Sequence, residues 1–134
     1  MEIDGQCHCG NVRYTATVDP HNASACHCTD CQRISGSAFR TTIRLPESDF
    51  HITGETKTYK KIAASGNERA LVFCPICGTQ MLGMPTGDGP KRISLRLGTS
   101  NQRAQLPPQR QIWCNSAMPW VEDLADVPKS LTQD

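Results

Sequence analysis

Aromatic residues make up only 5% of this 134-residue chain, and apolar residues of all kinds 37%. So few large side chains give a modest core for a chain that suits one domain, and cross-links of another kind would add to it. Long apolar runs are missing, and none approaches the roughly 20 residues that cross a membrane. The start, Met1-Glu2-Ile3-Asp4-Gly5, has neither a basic cluster nor an apolar stretch, which predicts no signal peptide. An excess of one charge is missing too. Fourteen Lys and Arg stand against thirteen Asp and Glu, for a net charge of +1 and a pI near 7.6. Nucleic-acid-binding domains more often lie above about pI 9, so no polyanion partner is expected. The charges are scattered rather than blocked, as on an ordinary solvated surface. A cytoplasmic location follows as the expectation, and in a reducing compartment clustered cysteines are metal ligands or redox groups rather than structural disulfides.

Cysteine is what the chain does have. Seven of the eight fall into three tight clusters: Cys7-x-Cys9, Cys26-x-Cys28-x-x-Cys31 and Cys74-x-x-Cys77. Two pairs complete one tetrahedral thiolate site, and the triplet is left one ligand short. A zinc ion on three protein ligands keeps a position open, which separates catalytic from structural zinc. Cys74-Pro75-Ile76-Cys77-Gly78 has the form of a zinc knuckle, with Gly78 free to take the positive φ that such turns use. Cys7, Cys9, Cys74 and Cys77 are therefore expected to enclose a structural ion; the competing reading of the C-x-x-C is a redox dithiol, which no surrounding βαβ pattern supports. Cys26, Cys28 and Cys31 are expected to hold a second, open ion. Spacing alone leaves ferrous iron as an alternative to zinc there. Three thiolates make a weak Lewis acid suited to binding a further thiol and keeping it ionised. His8 and His27 sit between cysteines and are not read as ligands, while His21 and His51 stand alone. Cys114 is expected to be a small buried hydrophobe.

The loop after the triplet supplies candidate ligand contacts. Arg33 suits a carboxylate, Ser35 and Ser37 are hydrogen-bond donors, and Gly36 allows close approach. The plain alternatives are a solvated charge for Arg33 and an ordinary turn for Gly36.

Most of the periodic signal has period two. Asn11–Val18 alternates, Arg40–Leu45 is β-branched, and Lys57–Ile62, Arg69–Phe73, Gln80–Met84 and Arg92–Leu97 read as further strands. Ser65-Gly66-Asn67 and Gly87-Asp88-Gly89-Pro90 each mark a hairpin. Only Thr29–Ile34 reads as helical, and the tail from Gln105 as irregular up to Ile112-Trp113. The fold expected is mainly β: a single domain over residues 1–134, its antiparallel sheets pinned by zinc.

Three segments together resemble the glutathione-dependent formaldehyde-activating enzyme family, also called the centromere protein V family. They are Gly5-Gln6-Cys7-His8-Cys9-Gly10-Asn11-Val12-Arg13-Tyr14, Cys26-His27-Cys28-Thr29-Asp30-Cys31-Gln32-Arg33-Ile34-Ser35-Gly36-Ser37-Ala38-Phe39, and Phe73-Cys74-Pro75-Ile76-Cys77-Gly78-Thr79. A looser match follows at Trp113, Pro119 and Trp120. The resemblance implies a β-tent fold, a structural ion on Cys7, Cys9, Cys74 and Cys77, and an ion assigned to catalysis on Cys26, Cys28 and Cys31. The activity implied is formation of S-hydroxymethylglutathione from formaldehyde and glutathione, a carbon–sulfur lyase in the reverse sense. Family members often carry acidic residues after a Gly-Thr that follows the late strand. Here Gly98-Thr99 is followed by Ser100-Asn101-Gln102-Arg103.

Three functions are thus weighed: a zinc enzyme joining a small thiol to an aldehyde, a non-catalytic zinc module that binds thiols or proteins, and a nucleic-acid-binding zinc protein. The neutral charge and the want of a basic aromatic stripe argue against the third.

Overall fold

In the computed structural model, which describes residues 1–133, the alternating segments form two sheets around one core. The smaller sheet has strand order β1-β2-β5, from β1 (Glu2–Gln6), β2 (Arg13–Thr17) and β5 (Phe50–Thr53). The larger has order β10-β3-β4-β9-β8-β7-β6, from β3 (Ala23–Cys26), β4 (Arg40–Pro46), β6 (Lys57–Ile62), β7 (Glu68–Phe73), β8 (Gln80–Pro85), β9 (Arg92–Arg96) and β10 (Arg110–Ile112). Every pairing is antiparallel except β10 with β3. This is the mainly β, cysteine-pinned single unit that the pattern predicted. No helix among the described residues is long and apolar enough to cross a membrane.

The core explains the alternation. Ile3, Tyr14 and Ala16 from the small sheet meet Ile43, Leu45, Val72, Leu82, Ile93 and Leu95 from the large one. Full burial of such a side chain contributes about 1.5–3 kcal/mol. Both expected hairpins are present, β6 to β7 and β8 to β9, with Gly66, Gly87 and Gly89 at positive φ in their turns. β6 keeps the expected bounds, and the other expected strands shift at their ends by one or two residues.

Four strands lie outside the expected set, for physical reasons. β3, Ala-Ser-Ala-Cys, is buried along its whole length and so shows no alternation. β1 has one large apolar residue, β5 is mostly exposed, and β10 is an exposed edge of three residues in the segment read as irregular.

The single helix, α1 (Thr29–Ser35), is too short to stand alone. Its N-cap is Cys28, whose Sγ accepts the Cys31 N–H at 3.2 Å. Its C-cap is Gly36 at φ 64°, whose N–H bonds the Gln32 carbonyl. A candidate metal ligand therefore also caps the helix that carries the next one.

The polar residues of the loop after β9 tie the two sheets together. Gln102 Oε1 accepts the Asp4 N–H at 2.9 Å, and its Nε2 donates to Asp4 Oδ1 at 2.7 Å. Asn101 Nδ2 donates to Asp4 Oδ2 at 3.2 Å. The Gln102 and Asn101 donors hold the Asp4 carboxyl below its usual range. Gly5 bridges Ser100 in this seam, and a Cβ on Gly5 would overlap the Thr99 carbonyl oxygen and the Tyr14 hydroxyl. Gly5→Ala is expected to cost about 2–3 kcal/mol by overpacking, seen as a urea midpoint roughly 1 M lower. Gly98→Ala, with nothing within 4 Å of its Cβ, is the matched control and should leave the midpoint in place.

Candidate metal centre

Two cysteine groups come together, and they are the two sets the spacing predicted. Within each group, Cys7–Cys9–Cys74–Cys77 and Cys26–Cys28–Cys31, all sulfurs lie within 4.8 Å of one another.

The four-sulfur group is built from two similar knuckles. In the first, the Cys7 N–H bonds the Val12 carbonyl at 2.9 Å and the Gly10 N–H bonds the Cys7 carbonyl at 3.1 Å. The Val12 N–H then points at Cys7 Sγ, 3.2 Å away. In the second, the Cys74 N–H bonds the Thr79 carbonyl at 3.0 Å and the Gly78 N–H bonds the Cys74 carbonyl at 2.9 Å, with Gly78 at φ 77°. Cys77 Sγ lies 3.2 Å from Thr79 Oγ1. That hydroxyl and the backbone N–H groups of Cys9 and Thr79 pull the Cys77 thiol down to about 5. The His8 N–H donates to Thr79 Oγ1 at 3.0 Å, locking one knuckle to the other. Neighbouring sulfurs are 3.6 Å apart for Cys7–Cys9 and 3.8 Å for Cys9–Cys74. The edge of a tetrahedral zinc–thiolate site is about 3.8 Å, from a Zn–S bond of about 2.3 Å. Donor type, number and spacing all fit zinc, and no position is left over.

The triplet lies at the end of β3 and the start of α1. Cys28 Sγ donates to Cys31 Sγ at 2.8 Å, and Cys31 Sγ to Cys26 Sγ at 3.3 Å. The Cys31 hydrogen bond lowers the Cys26 thiol to about 5 against its burial, helped by the Cys28 N–H and the Arg40 charge. Cys31, the donor, is pushed well up by that same bond and by burial. The donor set fits a thiophilic divalent ion with one position free.

Cys26 and Cys31 are buried and Cys28 is half-exposed. Cys28 opens onto a cleft of about 270 Å³ lined also by Asp30, Lys61, Trp113, Asn115 and Ser116. Lys61 Nζ bonds Asp30 Oδ2 at 2.8 Å. Gln32 Nε2 reaches both the His27 and Ser116 carbonyls at 2.9 Å, clipping the tail over the helix. Trp113 sits at φ 58°, the one non-glycine at positive φ among the described residues. Such strain gathers at ligand sites. Sequence reading did not place Lys61, Trp113 and Asn115 beside the triplet, because they lie 30 residues or more from it; Trp113 entered only through the looser family match.

The structure spreads the four loop candidates around α1. Arg33 lies beside Asp30, Lys60 and Lys61 over β6. Ser35 lines a cleft with Arg40 and Arg96. Gly36 and Ser37 face a cleft under Trp120. His27 turns away from the sulfurs, with Nε2 2.7 Å from Gln111 Oε1 and its ring 5.3 Å from that of Phe39. Cys114 is exposed rather than buried, because it opens a 3-10 turn (Cys114–Ser116) on the surface.

The profile of the glutathione-dependent formaldehyde-activating enzyme family matches residues 2–116. The chain belongs to this family. Both cysteine groups and the Trp113 segment lie inside the matched span. A comparison with curated proteins gives no significant match. Among solved structures, a crystal structure of a Rhodobacter sphaeroides protein, a structural-genomics target, superposes with a TM-score of 0.60 at 18% identity. The match covers 81% of this chain and 98% of that one. At that identity it speaks for the fold alone.

Burial orders the thiols. Brief alkylation of the native protein is expected to mark Cys114 fastest, and to reach Cys7, Cys26, Cys31 and Cys74 last, as peptide mass mapping will show. Equal labelling of buried and exposed cysteines would contradict the arrangement described.

Proposed function

We propose that this chain, acting as one zinc-binding unit over residues 1–134, is a carbon–sulfur lyase-like enzyme that joins a small thiol, glutathione, to an aldehyde such as formaldehyde, or cleaves the adduct. Zinc is the metal proposed for both groups, structural on Cys7, Cys9, Cys74 and Cys77, and catalytic on Cys26, Cys28 and Cys31. The observation that carries this reading is the contrast between a saturated four-sulfur set and a three-sulfur set whose Cys28 faces a cleft. Family membership supports the substrate pair.

When bound at the triplet, zinc supplies one open coordination position and keeps an added thiol ionised at neutral pH. The chain's own residues do the rest. Cys26 and Cys31 are buried and Cys28 lines the cleft, so a ligand would reach the triplet from the Cys28 side. Trp113 and the tail clipped by Gln32 limit water there. Lys61, held by Asp30, presents N–H donors to the aldehyde oxygen. In the forward direction the thiol gives its proton to solvent, its sulfur bonds to the carbonyl carbon, the C=O π bond breaks, and the oxygen takes up a proton from solvent. The product is a hydroxymethyl thioether, and the reverse step returns thiol and aldehyde. Arg33, Ser35, Gly36 and Ser37 are proposed as contacts for the rest of the thiol around the helix.

Exchange NMR with labelled formaldehyde and glutathione tests this directly. The zinc-loaded protein should speed adduct interconversion, and Cys28→Ser should abolish the acceleration and one bound zinc while the circular dichroism stays native. Cys77→Ser should unfold the chain, since structural zinc contributes about 10–16 kcal/mol of apparent binding energy. An interconversion rate unchanged by the zinc-loaded protein sinks the enzyme reading. Equal unfolding by both substitutions favours a purely structural pair of sites.

A further inference from the structure

One face of the large sheet is lined with arginine. On β4, Arg40 stands opposite Cys26 and Arg44 opposite Ser94, while Arg96 on β9 stands opposite Thr42. Strand alternation puts these residues on the face away from the core that Ile43, Leu45 and Leu95 fill. Arg69 on β7 is near enough for Arg40 and Arg44 to repel it.

Arg96 is 6% exposed. Its Nε and Nη2 are sealed from solvent without a partner, and Nη1 makes one long contact, 3.5 Å, to the Ser94 carbonyl. Arg40 Nε is likewise buried and unpartnered. The two ion pairs among the described residues, His21–Asp19 and Lys61–Asp30, involve neither. The guanidinium packs over Gly83, where a Cβ would lie 3.6 Å from Arg96 Nη2, in ordinary contact. Burial, and then repulsion by Arg40, lower the Arg96 guanidinium to about 9, while Cys31 and Cys26 hold it up. Breaking up a buried ion pair costs several kcal/mol because it leaves such a charge uncompensated. A tris-thiolate centre on a divalent ion supplies one net negative charge, which does not balance this face.

Arg40 and Arg96 line a cleft of about 480 Å³ together with Ser35, Gln80 and Thr99. Gln80 Oε1 is also buried without a partner. Arg40 belongs to both places: its backbone pairs with Cys26 and its side chain faces the cleft. The cleft lies at the C-terminal end of α1 and Cys28 at the N-terminal end. Seven helical residues span about 10 Å, which is also about the reach of an extended tripeptide.

We propose that the Arg40–Arg96 cleft is a carboxylate-binding subsite of the open metal site, taking a terminal carboxylate of a tripeptide-length thiol whose sulfur lies at the cysteine triplet. This rests on the reading of the triplet as a thiol site. The arginine fork matches a carboxylate in two parallel bonds. A two-carbon thiol is too short to reach both ends.

Calorimetry on protein loaded at both metal groups tests it with three probes: glutathione, its diethyl ester, and S-methylglutathione. Glutathione should bind about tenfold to a hundredfold tighter than the diester, as expected for charge-assisted hydrogen bonds. Arg40→Gln should bring glutathione down to the diester's affinity and leave the diester unchanged. Arg96→Met should weaken glutathione in the same way while the melting temperature holds or rises, because an unpaired buried charge is removed. S-methylglutathione should bind more weakly than glutathione yet still depend on Arg40. Equal affinities for glutathione and its diester would overturn the subsite and leave the thiol reading standing. S-methylglutathione binding as tightly as glutathione would show a carboxylate site uncoupled from the triplet, which also overturns it. No binding of any probe would remove the subsite and the thiol reading together.

Discussion

The small sheet and the large one are held in register by four sulfurs that meet from segments 65 residues apart, at Cys9 and Cys74. Four thiolates this close repel strongly unless a cation lies among them. The backbone has already turned the N–H of Val12 toward Cys7 and the Thr79 hydroxyl toward Cys77, so the group is prepared for charge before an ion arrives. With few aromatics in the core, the interlocked knuckles and the Asp4 seam join layers that share only a thin apolar filling. The second knuckle has another consequence. Gly78, Thr79 and Gln80 run on from it to form a wall of the arginine cleft, so the closed group shapes the surroundings of the open one.

The open group is built on a different principle. Its sulfurs belong to a strand end and one helical turn, and the Cys28 sulfur caps the turn that carries Cys31. A seven-residue helix has too few internal hydrogen bonds to fix itself, so capping, the Gln32 clip and the Lys61–Asp30 pair set its position. Both the Cys28 cleft and the Trp113 tail rest on the start of α1. The cysteine triplet and the shape of the cleft are therefore linked through one short element.

How much of this was legible in the sequence follows from where each signal is stored. Ligand sets lie in local spacing, so both cysteine groups, and the passive placement of His27, could be read from residues a few positions apart. Strands with one wet face, such as β2, announce themselves by alternation. β3 does not, because all four of its residues are buried. The cleft residues are invisible for a related reason. Lys61, Trp113 and Asn115 reach Cys28 only through the fold, and Arg96 reads as one more surface charge until the β4–β9 register sets it opposite Thr42, on the sheet face that Arg40 and Cys26 share. The exposure of Cys114 was hidden by its apolar neighbours Ile112 and Trp113, which are themselves largely exposed.

Charge then separates the two groups in kind. Four thiolates on a divalent ion carry a net charge near minus two, with their hydrogen bonds supplied mainly by backbone N–H groups that are fixed and uncharged. The triplet carries near minus one and stands beside Arg40 and Arg96, which are mobile in principle only at the cost of unpacking β8 and β9. A centre surrounded by dipoles has no electrostatic need of anything further. One flanked by uncompensated guanidinium groups has a standing preference for a negatively charged occupant, and a vacant coordination position gives that occupant a place to bind. The same arginines that make this region of the sheet costly to bury thus favour an anionic over a neutral occupant beside the triplet.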